Sequence, residues 1–384
     1  MKKLLHCLIF LLPSGLFAQL YFPPQIGNQW DTVSIQSLGW CPDRVDSLLN
    51  FLEEKNSNSF IILHKGKIAI EKYFGTYEQD SFWYWASAGK SLTAFLTGCL
   101  QADGQLDIDD ATSQYLGQGW TNCTPAQEAQ ITIRNQLKMT TGLDDMVPDV
   151  HCLVDTCLNY LTDPDTRWAY YNAPYRLILD VLVSASSSND ITLLTFSRIG
   201  TRIGMGGAWI NYVRWSKARD MARFGLLNLS RGVWNGDTIL NDPTYFQEMT
   251  TSSQNLNPSY GYLWWLNGQG SYMLPTVQFL FQGDLVPNAP SDMYAAMGKN
   301  DQRIFVVPSQ DLVVVRQGKA ADTVSLAVSA FDNDLWQKIS DLSCTTSAEE
   351  SKPASPLKVF PNPADERLMA VSYTHLTLPT IYSV

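Results

Sequence analysis

The chain has 384 residues, of which 45% are hydrophobic, 12% aromatic and 17% charged. This composition can bury a large core and carries too few charges for a disordered protein. The formal net charge of −10 at pH 7 leaves no basic surface for binding phosphates, so nucleic acids and anionic membranes are poor candidate partners. Small molecules or cell-wall fragments are better candidate ligands.

Residues 1–18 have the pattern of an export signal. Lys2 and Lys3 give a positive start before an apolar stretch, and Ala18 before Gln19 supplies a cleavage site of small residues. That stretch is too short to span a bilayer, and no later stretch reaches the roughly 20 apolar residues that a membrane helix needs. We therefore expect an exported protein without a membrane span, located in the periplasm, at the cell surface or outside the cell.

Two β-rich runs at residues 60–63 and 67–74 flank a turn around Gly66 and predict an antiparallel hairpin. Near the other end, residues 303–307 and 312–315 flank a proline turn and predict a second hairpin. Helical spacing occurs in four further stretches: residues 91–100, 175–183, 216–229 and 325–342. Strands from both ends that enclose a helical middle predict an α/β (α+β) fold, with one antiparallel sheet flanked by helices and an inserted helical lobe.

The composition changes near the C-terminus, and we expect the folded domain to span residues 19–343. Residues 344–356 are rich in Ser, Thr, Glu and Pro and are interpreted as a linker. Residues 357–370 resemble the start of the C-terminal sorting domain of type IX secretion, which implies the secretion machinery as a partner. Residues 371–384 do not continue such a domain and are interpreted as a sequence artefact.

Six cysteines remain after removal of the export signal, an even number that permits disulfides in an oxidising compartment without revealing their pairing. They are Cys41, Cys99, Cys123, Cys152, Cys157 and Cys344. His151 with Cys152 and Cys157 lacks the fourth ligand and the second spaced pair of a zinc site. We therefore expect a local disulfide or unpaired buried cysteines there, and no metal.

Ser87 and Lys90 are the first candidates for catalysis. A hydrolase that forms an acyl-enzyme needs a hydroxyl nucleophile and a base within hydrogen-bond reach. Their i, i+3 spacing on a helix would place the lysine beside the hydroxyl, where burial lowers its pKa. Chance alone supplies about one or two S-x-x-K pairs in a chain of this length, and a helix-capping serine followed by a surface lysine is the alternative. The aromatic run at residues 82–85 favours a buried Lys90.

Tyr170 and Asn172 form the second candidate pair, in the only Y-x-N of the chain. A phenol can pass a proton to a leaving group, and an amide can orient Lys90 or the substrate. Taken alone, Tyr170 would more often be an aromatic core residue.

Together, Ser87, Lys90, Tyr170 and Asn172 resemble the class C β-lactamase and penicillin-recognising serine hydrolase family, which pairs S-x-x-K with Y-x-N on a separate loop. Collinear stretches are also similar to family segments: residues 104–110, 131–143, 219–227 and 260–265. The resemblance implies a β-lactamase/transpeptidase-like fold and an acyl-enzyme serine hydrolase that acts on an ester or amide without a cofactor. Ser87 would be the nucleophile, with Lys90 and Tyr170 as its proton-handling partners.

The third family motif, Lys or His followed by any residue and Gly, falls by the same resemblance at Ala296-Met297-Gly298. Ala296 stands where lactamases have a cation that holds the substrate carboxylate. A small residue at this position resembles the branch of esterases and aminohexanoate-oligomer hydrolases. Gly298 permits close backbone approach, and the resemblance assigns the N–H groups of Ser87 and Lys299 to the oxyanion hole. Strand alternation sends the Lys299 side chain to the face opposite that of Gly298, so a local bulge would be needed to turn it towards the site.

The sequence argues against two other motifs, and one alternative function remains open. Residues 88–91 end like a P-loop, but Tyr84 stands where that motif requires glycine. The G-x-S-x-G elbow of α/β-hydrolases lacks its first glycine here, and its histidine could only be His64 or His151. A catalytically silent sensor or binding protein of the same fold would retain the complete set of proton-handling residues without using it, so the intact set favours an enzyme.

Overall fold

Strands from both ends of the chain meet in one antiparallel sheet in the computed structural model, which describes residues 20–322 and 328–344. The strands are β1 Ser57–His64, β2 Lys67–Tyr73, β3 Trp83–Tyr84, β4 Ala208–Ile210, β5 Val213–Ser216, β6 Val233–Trp234, β7 Asp237–Thr238, β8 Trp265–Leu266, β9 Ser271–Tyr272, β10 Phe281–Gln282, β11 Tyr294–Gly298, β12 Gln302–Val307 and β13 Leu312–Gly318. The main sheet has the order β2–β1–β13–β12–β11–β8. The last strands of the chain thus pair with the first, as predicted.

Both predicted hairpins are confirmed. β1 pairs with β2 across a turn at Lys65 and Gly66, and β12 pairs with β13 across the helical turn Pro308–Gln310. β13 lies between β1 and β12, and all seven of its residues are buried. A central strand buried on both faces requires a layer of helices on each side of the sheet.

The helices are α1 Pro42–Glu54, α2 Gly89–Ala102, α3 Ser113–Leu116, α4 Pro125–Glu128, α5 Ile133–Lys138, α6 Asn172–Ser186, α7 Ile191–Thr195, α8 Thr201–Ile203, α9 Ala218–Leu229, α10 Pro243–Met249 and α11 Ala330–Ser340. The shorter helical turns are Gln36–Leu38, Ala86–Ala88, Asp155–Cys157, Phe196–Gly200, Lys299–Asp301 and Pro308–Gln310. The helices predicted at residues 91–100, 175–183 and 216–229 correspond to α2, α6 and α9.

The fourth predicted helix begins later than expected. We predicted helix from residue 325, but α11 begins at Ala330, while residues 323–327 lie outside the described part of the chain. Ser329 has an extended backbone and forms a capping box with Asp332, which accounts for the start at the next residue. The hydrophobic spacing continues on the N-terminal side of this cap, so it placed the start of the helix too early.

Helices cover the sheet on both faces. Ile304 and Phe305 are consecutive residues of β12 and therefore point to opposite faces. A Cβ atom added to Gly225 of α9 would lie 3.0 Å from the Ile304 side chain, so α9 packs closely on that face. On the other face the Phe305 ring lies 5.5 Å from that of Trp336 on α11.

The inserted helical lobe has its own small apolar cluster beside the main core. Its buried members are Trp120, Ile131, Leu143, Leu158, Tyr171, Ala173 and Leu177. α2 contacts both α6 of this lobe and β11 of the sheet. Residues at the start of α2 therefore lie between the sheet and the lobe, where clefts commonly form.

Two disulfides occur in the described residues. Cys41 is joined to Cys344, and Cys152 is joined to Cys157, whereas Cys99 is a free buried thiol. The expected local disulfide is thus present, and a bond to Cys344 ties the start of the predicted linker to the N-terminal part of the domain. The predicted export signal, residues 345–356 of the linker, the sorting segment at 357–370 and residues 371–384 lie outside the described residues.

Within the described residues, no single helix is long and apolar enough to cross a membrane. One bent pair, Asn172–Ser186 with Ile191–Ile203, passes that test of length and composition when taken together. Most of its apolar side chains are buried in the core of the domain.

Candidate active site

Ser87 lies in a short helical turn that leads directly into α2. The turn is anchored by the fully buried Trp85, whose backbone N–H donates to the Arg214 carbonyl at 2.8 Å. Ala86 has a left-handed backbone with φ of 47°, a conformation that is unfavourable for a residue with a side chain. This turn presents the Ser87 hydroxyl at the N-terminal end of α2, where the helix dipole favours negative charge.

The side chain of Lys90 lies within hydrogen-bond distance of the Ser87 hydroxyl. It is only 2% exposed, and its Nζ lies 2.9 Å from Ser87 Oγ. The same Nζ donates to Asn172 Oδ1 at 2.8 Å. It also lies 4.8 Å from the ring centroid of Tyr170 and 4.1 Å from that of Tyr175. The i, i+3 spacing on the helix thus brings the amine to the hydroxyl, as the sequence predicts.

The environment of Lys90 favours its neutral form. Burial lowers the pKa of Lys90 well below its usual value, and the nearby positive charge of Arg176 lowers it further. A neutral amine keeps a lone pair, and here that lone pair can accept the proton of Ser87 while an N–H still donates to Asn172. This arrangement can produce a serine alkoxide without a histidine.

Tyr170 is held in the site by aromatic packing. Its ring stacks on Trp265 at 5.6 Å and meets Tyr260 edge-on at 6.2 Å. The hydroxyl is buried and has no hydrogen-bond partner among the described residues. Burial raises the pKa of Tyr170, an effect that the neighbouring Ser87 partly offsets. Tyr170 therefore keeps its proton at neutral pH and can donate it into the site.

Gly298 brings the end of β11 against the nucleophile turn. A Cβ atom added to Gly298 would lie 2.4 Å from the Trp85 carbonyl oxygen and 2.9 Å from the Ala88 nitrogen, so only glycine fits. The strand ends at this residue, and the chain continues into a helical turn in which Asn300 has φ of 59°. Because strand alternation stops there, Lys299 lines the same cavity as Ser87, and no bulge is involved.

Five of the predicted residues line one cavity of about 380 Å³: Ser87, Lys90, Tyr170, Asn172 and Lys299. Gly298 is buried and is not one of the residues that line the cavity. The cavity is also lined by Tyr84, Asp145, Arg176 and Tyr212, which were not predicted, and by His151, which the sequence suggested only as a metal ligand or as the histidine of an α/β-hydrolase. Of these, only Arg176 had a usable sequence signal, since it follows Asn172 by one helical turn and shares its face. The others come from loops and strands that the tertiary fold alone brings here.

The cavity carries more positive than negative charge, in contrast to the acidic chain. The Arg176 guanidinium lies 5.8 Å from the Tyr212 ring, and Lys299 is exposed at the cavity. The carboxylate of Asp145 is already paired with Arg167 at 2.6 Å. Burial and the positive charge of Arg176 lower the pKa of His151, so this imidazole is neutral at neutral pH.

Thiol ligands for a metal are absent from this region because Cys152 and Cys157 are joined in a disulfide. Across residues 20–322 and 328–344, no three His, Cys, Asp or Glu side chains are grouped closely enough to hold a metal ion.

Comparison with known proteins identifies the family. A sequence model of the beta-lactamase family matches residues 53–317, which include every candidate residue named above. The chain belongs to the beta-lactamase family. Family membership agrees with the fold and with the S-x-x-K and Y-x-N pattern of the site. A search of curated protein sequences gives no significant match.

Solved structures of the family share the fold at low sequence identity. A candidate 6-aminohexanoate-dimer hydrolase from Bacillus anthracis is 16% identical with a TM-score of 0.63, over 85% of this chain and 89% of that one. A candidate β-lactamase from Bacteroides dorei is 15% identical with a TM-score of 0.62, over 79% and 99%. A penicillin-binding protein from Bacillus halodurans is 17% identical with a TM-score of 0.55, over 77% and 99%.

Proposed function

We propose that the protein is a serine hydrolase that acts through an acyl-enzyme on a carboxylic ester or amide. The observation that carries the proposal is the buried Lys90 amine, which lies 2.9 Å from Ser87 Oγ and whose pKa is lowered by burial. Burial of a lysine amine beside a hydroxyl destabilises the folded protein, but it keeps the amine neutral and able to act as a general base. Membership of the beta-lactamase family supports the same chemistry.

In the proposed acylation, neutral Lys90 takes the proton of Ser87 as Oγ attacks the substrate carbonyl carbon. The carbonyl oxygen becomes an oxyanion, which the N–H groups of Ser87 and Lys299 would bind. Tyr170 donates its proton to the leaving alkoxide or amine. Lys90 then passes the proton that it took from Ser87 to Tyr170, and both groups return to their starting states. The acyl group then remains on Ser87 as an ester.

In the proposed deacylation, the same groups act on water. Neutral Lys90 removes a proton from a water molecule that attacks the acyl carbon, and the proton returns to Ser87 Oγ as the acid leaves. Asn172 holds the Lys90 amine in place through both half-reactions, because its Oδ1 accepts from Nζ at 2.8 Å. The scheme needs no cofactor.

The test is labelling of the purified domain by a fluorophosphonate, which reacts with activated serines. We expect Ser87→Ala to abolish both labelling and ester turnover while leaving thermal stability nearly unchanged. Ser91→Ala is the matched control, since Ser91 lies one turn along the same helix and its Oγ only donates to the Leu263 carbonyl at 2.7 Å. Undiminished labelling of the Ser87 variant would refute the assignment of the nucleophile.

The same experiment separates the enzyme from a silent sensor. An enzyme of this type is labelled at Ser87 and turns over substrate repeatedly, whereas a sensor is acylated and releases nothing. Suitable substrates are p-nitrophenyl esters, nitrocefin, D-amino-acid amides and short aminohexanoate oligomers. The last are included because the B. anthracis protein is described as an aminohexanoate-dimer hydrolase.

We also propose export of the mature chain from Gln19, with the tail at residues 357–370 acting as a sorting segment. The charged start and apolar stretch of the N-terminus support export, and the two disulfides are typical of an oxidising compartment. N-terminal sequencing of the protein from the periplasm or medium tests cleavage before Gln19. Equal secretion after deletion of residues 357–370 would contradict the sorting role.

A further inference from the structure

A buried ionic cluster lies directly behind the end of β11. It consists of Arg303 on β12, Asp301 in the adjoining turn and Asp332 at the start of α11, each at most 1% exposed. Arg303 Nη2 donates to Asp301 Oδ1 at 2.8 Å and to Asp332 Oδ2 at 2.9 Å. Buried charges are tolerated when they are paired and hydrogen-bonded in this way. The two carboxylates thus hold the guanidinium in one orientation.

Another nitrogen of this guanidinium, Nη1, points at the active-site strand, while Nε donates to Asp332 Oδ1. Arg303 Nη1 donates to the Gly298 carbonyl oxygen at 2.7 Å. That carbonyl and the N–H of Lys299 belong to one planar peptide unit and point in opposite directions. A donor fixed on the carbonyl side therefore sets the direction of the Lys299 N–H, and it also polarises that N–H into a stronger donor.

The same peptide is confined from the side of the nucleophile. Gly298 lies so close to Trp85 and Ala88 that an added Cβ atom would overlap the Trp85 carbonyl oxygen at 2.4 Å. The peptide is thus held between the nucleophile turn and a rigid guanidinium. Donors of an oxyanion hole are effective because they are oriented before the reaction begins.

We propose that Arg303 is a positioning residue of the oxyanion hole. Its hydrogen bond to the Gly298 carbonyl orients and polarises the Lys299 N–H that would bind the developing oxyanion. Arg303 does not touch the substrate and acts only through this peptide. The inference rests on the proposed function, because the Lys299 N–H has this task only if Ser87 is acylated.

The test uses Arg303→Lys, which keeps a positive charge between Asp301 and Asp332 but cannot also reach the Gly298 carbonyl in the same geometry. Loss of a whole oxyanion donor costs about 10²–10³ in kcat, so a misoriented donor should cost roughly 10- to 100-fold. We expect that fall in kcat per active site, counted by fluorophosphonate labelling of Ser87, with KM changed by less than about threefold. The affinity for an arylboronic acid, which forms a tetrahedral adduct on the serine, should fall by the same factor.

Arg223→Lys is the matched control. Arg223 is also buried, at 4% exposure, and donates to the carbonyls of Ile203 at 2.6 Å and Pro24 at 2.7 Å, away from the cavity. Its replacement should lower the melting temperature while kcat per labelled site and boronate affinity stay unchanged. A role of Arg303 in stability alone would give the same result for both variants.

Unchanged kcat per labelled site and unchanged boronate affinity in folded Arg303→Lys would overturn the inference. If that variant does not fold, Asp332→Asn loosens the same guanidinium while leaving Asp301 as its charge partner, and the same criterion applies to it. An unmodified protein that is neither labelled nor active on any ester or amide would instead overturn the proposed function.

Discussion

At the scale of single residues, the site combines the buried amine of Lys90 with the nearby positive charge of Arg176. Among the residues that the structure describes, no carboxylate pairs with Lys90, and its hydrogen bonds to Asn172 and Ser87 compensate for only part of its lost hydration. Arg176 adds a repulsive charge that favours the neutral amine. The spacing of Ser87 and Lys90 could be predicted from the sequence because it depends on one helix. The effect of Arg176 on Lys90 could not, since it depends on two helices that meet only in the fold.

The pH dependence of turnover follows from this charge balance. Lys90 acts as a base only when neutral, so kcat/KM should rise with pH through the lowered pKa of Lys90 and then level off. Arg176→Gln removes a positive neighbour, which makes protonation of Lys90 easier and raises its pKa. We therefore expect the rising limb of the profile to shift to higher pH in this variant. A pH–rate profile with p-nitrophenyl acetate measures the shift.

Lys72→Gln serves as the control for that profile, because Lys72 is exposed on β2 and does not line the cavity. It should leave the limb unchanged. A limb at the same pH in the Arg176 variant and the unmodified protein would mean that a group other than Lys90 titrates in catalysis.

The preference for uncharged or anionic substrates also depends on single residues. We expect short-chain esters to be hydrolysed faster than nitrocefin, because Ala296 supplies no cation for the carboxylate of a β-lactam. A charge-assisted hydrogen bond contributes about 1.5–3 kcal/mol, so its absence should cost roughly 10- to 100-fold on the anionic substrate. Measurement of kcat/KM for nitrocefin and p-nitrophenyl butyrate, with Ala296→Lys alongside, checks this. Equal rates in the unmodified protein would contradict it, and Lys299→Ala and Arg176→Ala would then identify the cation responsible.

At the scale of elements, the sequence predicted the hairpins and helices that are determined by interactions between residues close in the chain. The hairpins β1–β2 and β12–β13 follow from alternation and turn residues, and α2, α6 and α9 follow from hydrophobic spacing. The pairing of β11 with β8 and the end of β11 at Gly298 could not be predicted, because both depend on contacts with distant segments. For the same reason the sequence could not show that Lys299 lies beyond the end of the strand, where alternation no longer applies. The buried position of Arg303 was equally hidden, since its carboxylate partners only become neighbours in the folded sheet.

Gly298→Ala tests the close approach of β11 to the nucleophile turn. The new Cβ atom would lie 2.4 Å from the Trp85 carbonyl oxygen, so the strand end or the turn must move. Overpacking of this kind costs about 1–3 kcal/mol, which in a domain of this size corresponds to a fall of roughly 1–5 °C in the melting temperature. Displacement of the Lys299 N–H should also lower kcat by roughly tenfold or more. Calorimetry and ester kinetics measure both effects.

Gly206→Ala is the matched control, because a Cβ atom there would meet its nearest neighbours, the Asp220 carboxylate oxygens, only at 3.9 Å. This variant should retain both stability and kcat. If Gly298→Ala behaved in the same way, the end of β11 would not be in the tight contact that the structure describes.

At the scale of the whole molecule, the two disulfides have different tasks. Cys41–Cys344 closes a loop with a sequence separation of 303 residues and joins the segment before α1 to the end of the domain. Cys152–Cys157 has a separation of only 5 residues and lies beside Val150 and His151 of the cavity wall. The sequence permitted both bonds but could not choose between pairings, because the ends of the chain approach each other only through the order of the sheet.

The two bonds should therefore separate stability from activity. The loss of chain entropy in the unfolded state grows with loop length and predicts about 5–6 kcal/mol for the long loop against about 2 kcal/mol for the short one. We expect Cys344→Ser to lower the melting temperature markedly while kcat and KM at 25 °C stay unchanged, because Cys344 lies away from the cavity. Cys157→Ser should lower the melting temperature less and raise KM, because the loop that carries His151 loses its restraint. Thermal unfolding and ester kinetics on both variants decide the matter, and a larger loss of stability in Cys157→Ser than in Cys344→Ser would contradict the assignment.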